Sequence, residues 1–309
     1  MTFTVAMLLG AAVVAMLGPR WLSGLARRGV DPLVLFTAWI ASIVSAVLMS
    51  TSAVVVLMVP DHNPVGDSFT FLLHGVTSVA HGLNPHAEEL IGLVGTVLIA
   101  CLTVRAAVLA IRSAIRRRRA NRRYLAELGV SARTADGVLW LDHESPLAFS
   151  IAGPPGVIIA TNGLNRTMSP AEVAAVLAHE RAHLRGRHHL LVALADAVAD
   201  ALPLVPLAQR APREFRVLAE LSADTQAVRL HGRAALRAAL MAVASGPTPM
   251  GSLGVTGGEI THRLRRLEHA TGTGPLGKTV GCVTALLTAF TTPVVVALAV
   301  LQVAVLTGC

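Results

Sequence analysis

The sequence predicts a mainly α-helical membrane protein, with four transmembrane helices and an α+β domain inserted between the third and the fourth. Apolar residues make up 53% of the 309-residue chain, more than a soluble domain usually contains. Charged residues avoid four long stretches. The segment between the last two of these stretches carries strand and helix patterns that are typical of a folded domain.

The four apolar stretches are long enough to cross the hydrocarbon core, which takes about 20 residues. The predicted transmembrane helices lie at residues 2–18, 33–59, 90–111 and 280–307. The first stretch has no positive n-region, and Pro19, Arg20 and Trp21 follow it in place of a small-residue cleavage site. We therefore expect a retained span and not a cleaved signal peptide.

The short loops predict the orientation. Arginines follow the first span in loop 19–31 and the third span in 112–123, whereas loop 61–89 has four carboxylates and neither Lys nor Arg. Basic loops stay on the cytoplasmic side of the membrane. We expect a multi-pass plasma-membrane protein with both termini outside. Residues 1–111 then form three transmembrane helices, residues 112–278 form a cytoplasmic domain, and residues 279–309 form the fourth helix.

A run of arginines, Arg116–Arg123, directly follows the third span. Its simplest interpretation is an anchor on the anionic lipids of the inner leaflet. We expect no direct nucleic-acid binding, because neither interleaved aromatic residues nor a groove-reading helix accompanies the run. The cysteines, Cys101, Cys282 and Cys309, form no C-x-x-C pair and indicate neither a thiolate metal site nor a redox motif.

The inserted domain begins with β-structure. Short β-branched and apolar runs predict strands at 138–143 and 156–161. The Gly/Pro- and Asn-rich stretches 152–156 and 161–165 predict turns.

A strongly marked helix follows the strands. Ser169 is its expected N-cap, Pro170 its first residue, and Glu172 completes a Ser-x-x-Glu capping box. The helix is expected to end near Gly186 and carries His-Glu-x-x-His on its last turns.

The rest of the domain is predicted to be helical. The apolar segment 189–208 is expected to be buried or interfacial and not a fifth span, which would separate His179 from Glu220. A helix should cover 212–232 and stop at Gly232. A short basic helix is expected at 259–270.

The His-Glu-x-x-His stretch predicts a metal site. His179 and His183 lie four residues apart and share one helix face, where they can chelate a single zinc ion. Glu180 lies beside that face, within reach of a water molecule activated by the metal. A catalytic zinc site takes three protein ligands, so one ligand is missing from the motif.

A downstream helix can supply the missing ligand. Glu220 and Asp224 lie four apart on one face of helix 212–232. One carboxylate could bind zinc, and the other could accept a hydrogen bond from a ligand histidine and fix its tautomer.

The two motifs in combination resemble the BlaR/MecR-type integral membrane zinc metallopeptidases, gluzincins related to the prenyl-protein and HtpX-type proteases. The resemblance rests on "MSPAEVAAVLAHERAHLRGRHH", "ELSADTQAV" and "PLAFSIAGPPGVIIATNGL", and on the order of spans and domain. It implies that His179, His183 and Glu220 bind one Zn²⁺, that Glu180 is the general base and that Asp224 orients a ligand. His188 stands where the family often has Asp.

The resemblance also implies a function. The expected activity is cleavage of a cytoplasmic protein, a BlaI/MecI-like winged-helix repressor, with self-cleavage as an activating step; oligomerisation stays open. The sequence up to Cys309 shows no extracellular penicillin-binding domain, so β-lactam acylation is not expected. We expect Val157, Ile158 and Ile159, in strand 156–161, to pair with an extended substrate.

Several assignments stay open at this point. His231, His262 and Arg263 are candidates for stabilising the oxyanion. The loop residues His62, His74, His81 and His86 are expected to be plain polar residues, with a metal- or pH-sensing loop as the alternative. His188, His189 and His269 are expected to be surface residues. A non-catalytic signalling or scaffold protein with a structural zinc is the alternative function, and a transporter is disfavoured because the spans lack intramembrane charges and broken-helix repeats.

Overall fold

The computed structural model describes residues 2–57, 87–128, 133–135, 137–153, 156–245, 257–269 and 274–306. The loop histidines that the sequence singles out lie outside these described residues: His62, His74, His81 and His86. The described residues are mostly helical, with one small sheet before the motif helix.

Four long apolar helices correspond to the four predicted spans. They are α1 (Thr2–Arg27), α2 (Pro32–Leu57), α3 (Ala87–Leu128) and α9 (Pro275–Leu306). By length and composition each contains a segment that can cross a membrane: Val5–Arg27, Pro32–Val55, Gly92–Glu127 and Leu276–Val296.

Two of these helices extend beyond their apolar parts. Helix α1 continues through Pro19 to Arg27, past the end of the predicted span. Helix α3 continues from the third apolar stretch through the run Arg116–Arg123 to Leu128. The basic run is therefore a helical extension of an apolar helix that is long enough to cross a membrane.

Helices α1, α2 and α9 pack against one another. Trp39 and Leu35 of α2 are almost fully buried, together with Leu22 of α1 and Ala285 of α9. A β-carbon added at Gly10 of α1 would lie 2.6 Å from the carbonyl oxygen of Pro293. The helices α1 and α9 therefore approach closely because residue 10 has no side chain.

The sheet has four strands in the order β1-β2-β4-β3. The strands are β1 (Arg133–Ala135), β2 (Val138–Leu141), β3 (Ala148–Ile151) and β4 (Val157–Thr161). Strand β4 pairs parallel with β2 on one side and antiparallel with β3 on the other. Both predicted strands are present, and β4 occupies the interior of the sheet.

The turn predicted at 161–165 is instead the start of a short helix, α4 (Asn162–Thr167). The backbone N–H of Gly163 donates to the carbonyl of His143, and the hydroxyl of Thr161 donates to the carbonyl of Ser145. A β-carbon at Gly163 would lie 2.1 Å from the carbonyl oxygen of Glu144. These contacts with the segment before β3 hold α4 in place, and they are not visible in the local sequence.

Four further helices follow α4 among the described residues before α9. They are α5 (Pro170–Arg185), α6 (His188–Ala201), α7 (Pro206–Ser245) and α8 (Gly257–His269). Helix α7 begins at Pro206, earlier than predicted, and contains Pro212. Gly232 interrupts it with a non-helical φ of 84°, at the position where the sequence predicts an end.

Helices α6 and α7 connect the motif helix to the apolar helices. They turn back on each other between Ala201 and Pro206, so residues 189–208 do not form a separate span. Leu207 and Phe215 are buried in the same core as Trp39 of α2. The guanidinium of Arg105 in α3 donates to the carbonyl of Asp200 at the end of α6.

Replacing Gly10 with Ala is expected to destabilise the protein by about 1–3 kcal/mol, because the new methyl group would overlap the backbone of Pro293. The measurement is thermal unfolding of the purified chain in one detergent. Gly24→Ala in the same helix is the matched control, since its β-carbon would only meet the Arg27 side chain at 3.8 Å. Helix propensity should make that control more stable by about 0.5–1 kcal/mol. Equal shifts for both variants would contradict the close approach.

Candidate metal centre

The motif helix α5 has the capped start that the sequence predicts. The Ser169 side chain accepts a hydrogen bond from the backbone of Glu172, and the Glu172 carboxylate accepts one from the backbone of Ser169. The helix buries His179 and His183 on one face. The capping box therefore sets the register that brings both rings to the interior.

Three candidate ligand atoms converge between α5 and α7. Nε2 of His179 lies 3.1 Å from Nε2 of His183 and 3.4 Å from Oε2 of Glu220. Nε2 of His183 lies 3.4 Å from Oε1 of Glu220. These three residues form a group of donors that could hold a metal ion.

The spacing of the donors suits zinc. Bonds of about 2.0–2.2 Å in a tetrahedral site place neighbouring ligand atoms roughly 3.3–3.6 Å apart. The separations of 3.1, 3.4 and 3.4 Å are close to that range. Two neutral imidazoles and one carboxylate leave the fourth position open, as catalytic zinc sites do.

Asp224 lies behind the first histidine. Its Oδ1 is 3.0 Å from Nδ1 of His179, the ring nitrogen that faces away from the other donors. The pair is within ion-pair distance, although the ring N–H is not aligned with the carboxylate as a hydrogen bond. Asp224 is buried and can fix the orientation of the His179 ring.

Arg263 of α8 joins the two carboxylates. Its Nε and one terminal nitrogen donate to both oxygens of Asp224 at 2.8 and 2.5 Å. Its other terminal nitrogen lies 3.1 Å from Oε2 of Glu220. Arg263 is only 7% exposed, and its guanidinium pairs with both carboxylates, so it supports the candidate ligands from the side of Asp224.

His188 lies behind the second histidine. Its Nδ1 is 3.1 Å from Nδ1 of His183, which faces away from the other donors. The expectation of a surface residue is wrong, because His188 is buried and stacks on Phe36 of α2. Arg187 adopts a left-handed conformation with φ of 49°, and this turn starts α6 and returns the His188 ring to α5. Gly186 permits this approach, since a β-carbon there would lie 2.4 Å from Nε2 of His188.

The three candidate ligands differ in their pKa values. Burial lowers the pKa of His179, but Asp224 and Glu220 outweigh it and raise that pKa to about 9. Burial and the positive His179 lower the pKa of His183 to about 3. Burial would raise the pKa of Glu220, yet His179 and Arg263 hold it down at about 2. Near neutral pH, His179 is therefore protonated while His183 is neutral and Glu220 is ionised.

Glu180 lies on the motif helix α5 and faces strand β3. Burial raises the pKa of its carboxyl group, while His179 and a hydrogen bond with Ser150 of β3 act in the opposite direction. His189, half-buried at the start of α6, has its Nε2 3.4 Å from the Ser150 hydroxyl. Strand β3 is thus the strand that approaches the motif.

The expectation that Val157, Ile158 and Ile159 pair with a substrate is wrong. These residues belong to β4, whose two edges are already paired with β2 and β3. Ile158 and Ile159 are also buried. Among the described residues, the sheet edge on this side is β3.

The remaining oxyanion candidates are not brought together. His231 is exposed next to the Gly232 interruption, and His262 is exposed on α8. Arg263 is occupied by Asp224 and Glu220. The described geometry selects none of the three as a donor to the substrate.

Comparison with known proteins gives a consistent result for this segment. The family model of peptidase family M48 matches residues 112–271. The chain is also similar to a protease HtpX homolog of Thermodesulfovibrio yellowstonii, with 37% identity over 64 residues. That alignment covers 20% of this chain and 23% of the relative, so the chain spans about a quarter of the relative's length. No solved structure matches the chain significantly.

Replacing Glu220 with Gln is expected to weaken zinc binding by more than about 100-fold, because the change removes a charged donor from the three-atom cluster. Asp224→Asn should weaken it less, by about 10–100-fold, as is typical for a residue that supports a ligand. Zinc competition with a fluorescent chelator measures both. Glu214→Gln on the same helix is the matched control, since it can keep its hydrogen bond to Ser23. Normal affinity in Glu220→Gln would exclude Glu220 as a ligand.

Zinc binding is expected to release about one proton per ion near pH 7. His179 is protonated in the metal-free protein because its pKa is raised to about 9, and a histidine must be neutral to bind zinc. Affinity should therefore rise about tenfold per pH unit until the pH passes 9. Calorimetry in buffers of different ionisation enthalpy counts the proton. A release near zero at pH 7 would show that His179 is already neutral.

Proposed function

The chain belongs to peptidase family M48, whose members are zinc metalloproteases, and on that premise we propose that it is a membrane-embedded endopeptidase that cleaves a cytoplasmic protein. The observation that carries the proposal is the convergence of His179, His183 and Glu220, with ligand atoms spaced as zinc requires and with Glu180 next to them on α5. A structural zinc alone would not need an open coordination position or a neighbouring base.

Glu180 is the proposed general base. Its carboxylate accepts a proton from the attacking water and later delivers that proton to the leaving amine nitrogen. Burial raises the pKa of this carboxyl group and makes it a stronger base than an exposed glutamate. The hydrogen bond from Ser150 keeps the carboxylate oriented toward β3. When bound, zinc polarises the scissile carbonyl and makes the attacking water more acidic.

The other residues of the site hold the metal ligands in place. Asp224 orients His179, and Nδ1 of His188 lies against Nδ1 of His183 in place of the carboxylate that the BlaR/MecR-type family often has there. Arg263 reduces the repulsion between the buried carboxylate of Asp224 and the partly buried carboxylate of Glu220. These contacts leave the ligands little freedom to rearrange.

Strand β3 is the proposed docking edge for the substrate. An extended peptide can add to a free strand edge through backbone hydrogen bonds. Ser150 of β3 hydrogen-bonds Glu180, so a peptide along this edge passes the proposed base. This proposal replaces the pairing expected for β4.

The proposed substrate is a winged-helix repressor of the BlaI/MecI kind, with self-cleavage as an activating step. Support comes from the resemblance of the motifs and of the order of spans to BlaR/MecR-type peptidases. The excess of arginines in 19–31 and 112–123 favours a cytoplasmic location of the domain, where such a repressor is accessible.

Glu180→Gln is expected to retain zinc but to lower the rate of cleavage by about 100–10,000-fold, the usual contribution of a general base. The test compares protein fragments in cells that produce the native chain or the variant, with zinc content measured on the purified proteins. Glu172→Gln on the same helix is the matched control, because glutamine also completes a capping box. It should give the native fragment pattern.

The fragment pattern also separates the rival functions. Fragments that disappear only with Glu180→Gln support the peptidase, and a winged-helix repressor among them supports the substrate. Identical fragments with and without Glu180 would contradict the peptidase and favour a non-catalytic scaffold. Fragments that come only from other proteins would contradict the repressor while leaving the peptidase intact.

A further inference from the structure

A second feature of the molecule is a cavity of about 270 Å³ on the far side of Asp224 and Arg263 from the metal ligands. It is bounded by α7, by α8, by the residues just before α2 and by the first turns of α9. Helix α1 ends at Arg27, α2 begins at Pro32 and α9 begins at Pro275. The cavity therefore lies where three apolar, span-length helices begin or end together.

The lining of the cavity is strongly basic. Five of its side chains are cationic: Arg229, Arg233, Arg263, Arg266 and Lys278. Two are acidic: Asp31 and Asp224. Such an excess of positive charge around a concave surface attracts an anion.

Part of this charge is neutralised within the protein. Lys278 lies 2.9 Å from Asp31, and Arg263 is engaged with Asp224 and Glu220. Arg266 instead donates to backbone carbonyls at the end of α1, those of Ala26, Gly29 and Val30.

Two cations of the lining form no salt bridge with a carboxylate in the part of the chain that the structure describes. Among the described residues, no carboxylate oxygen lies within ion-pair distance of the guanidinium of Arg229 or of Arg266. Arg229 is exposed and Arg266 is half-buried. Burial lowers the pKa of Arg266, and the negative charge of Asp31 offsets this only in part. An anion in the cavity would restore the balance of charge at both side chains.

We infer that this cavity binds a phosphate group, presented by the headgroup of an anionic phospholipid. Arginines are suited to phosphate oxygens because the planar guanidinium offers paired donors. The volume is on the order of nine liquid-water molecules, enough for a headgroup but not for a whole lipid. The ends of α1, α2 and α9 place the opening at the depth where phosphates of a bilayer lie.

The headgroup site differs from the arginine run of α3. Residues 116–123 form an extension of one helix, and their attraction to an anionic surface needs no cavity. The cavity is lined by side chains of α7, α8 and α9, and Asp224 and Arg263 are among them. A phosphate bound there would therefore lie next to the two residues that support the proposed zinc ligands. The inference concerns lipid binding and does not depend on the proposed peptidase activity.

The test is native mass spectrometry of the full-length chain in detergent, titrated with phosphatidylglycerol or with phosphatidylcholine. The native chain should retain one more phosphatidylglycerol than the Arg229→Gln variant at equal lipid concentration. Each lost arginine should weaken this binding about fivefold. Arg233→Gln, also exposed in the cavity, gives a second variant that does not disturb the end of α1.

The matched control is Arg237→Gln, an exposed arginine of the same helix that does not line the cavity. It removes the same charge and should leave the count of bound lipids unchanged. Equal losses in Arg229→Gln and Arg237→Gln, or equal binding of phosphatidylcholine, would overturn the inference. Inorganic phosphate and glycerol phosphate are added in separate titrations. If inorganic phosphate binds with the same dependence on Arg229 while phosphatidylglycerol does not, the ligand is free phosphate and the lipid assignment is wrong.

Discussion

The site depends on one constraint, the close approach of helices α5 and α7 at His179. Its ring must meet Glu220 with one nitrogen and Asp224 with the other, and both carboxylates come from the facing helix. Small side chains make this approach possible. Three buried alanines belong to one core cluster at the contact: Ala175 and Ala178 of α5 and Ala227 of α7. Larger residues at these positions would separate the helices beyond the distance that one metal ion can bridge.

The close approach also brings charges together, and the fold compensates for them. A buried carboxylate, Asp224, and a partly buried one, Glu220, on one helix face would be unstable without partners. Arg263 supplies a partner to both from α8, and the protonated His179 of the metal-free site supplies another. These ion pairs hold the side chains of the candidate ligands close together.

The local part of this arrangement could be predicted from the sequence, and the non-local part could not. The capping box and the four-residue spacings determine which faces of α5 and α7 carry His179, His183, Glu220 and Asp224. The position of β4 inside the sheet depends on parallel pairing with β2, which leaves no trace in a five-residue apolar run. Nothing local shows that His188 returns to α5, because that requires the left-handed turn at Arg187.

The spacing of apolar residues in α8 predicts that Arg263 is buried. Arg263 lies four residues before Leu267 and therefore shares the apolar face of α8, where an arginine must find carboxylate partners. That spacing argues against a role as an oxyanion donor. The site is also joined to the apolar helices, since His188 stacks on Phe36 of α2 while Arg263 and Asp224 line the basic cavity. Both supports of the metal ligands therefore contact residues in or next to the apolar helices.

X-ray absorption at the zinc edge tests the central claim most directly, because it reports the ligands of the bound metal. The arrangement of His179, His183 and Glu220 predicts two imidazole nitrogens and one or two oxygens at about 2.0–2.2 Å, with no sulfur. A sulfur contribution near 2.3 Å, or a single imidazole, would contradict the assignment of these three residues as the zinc site.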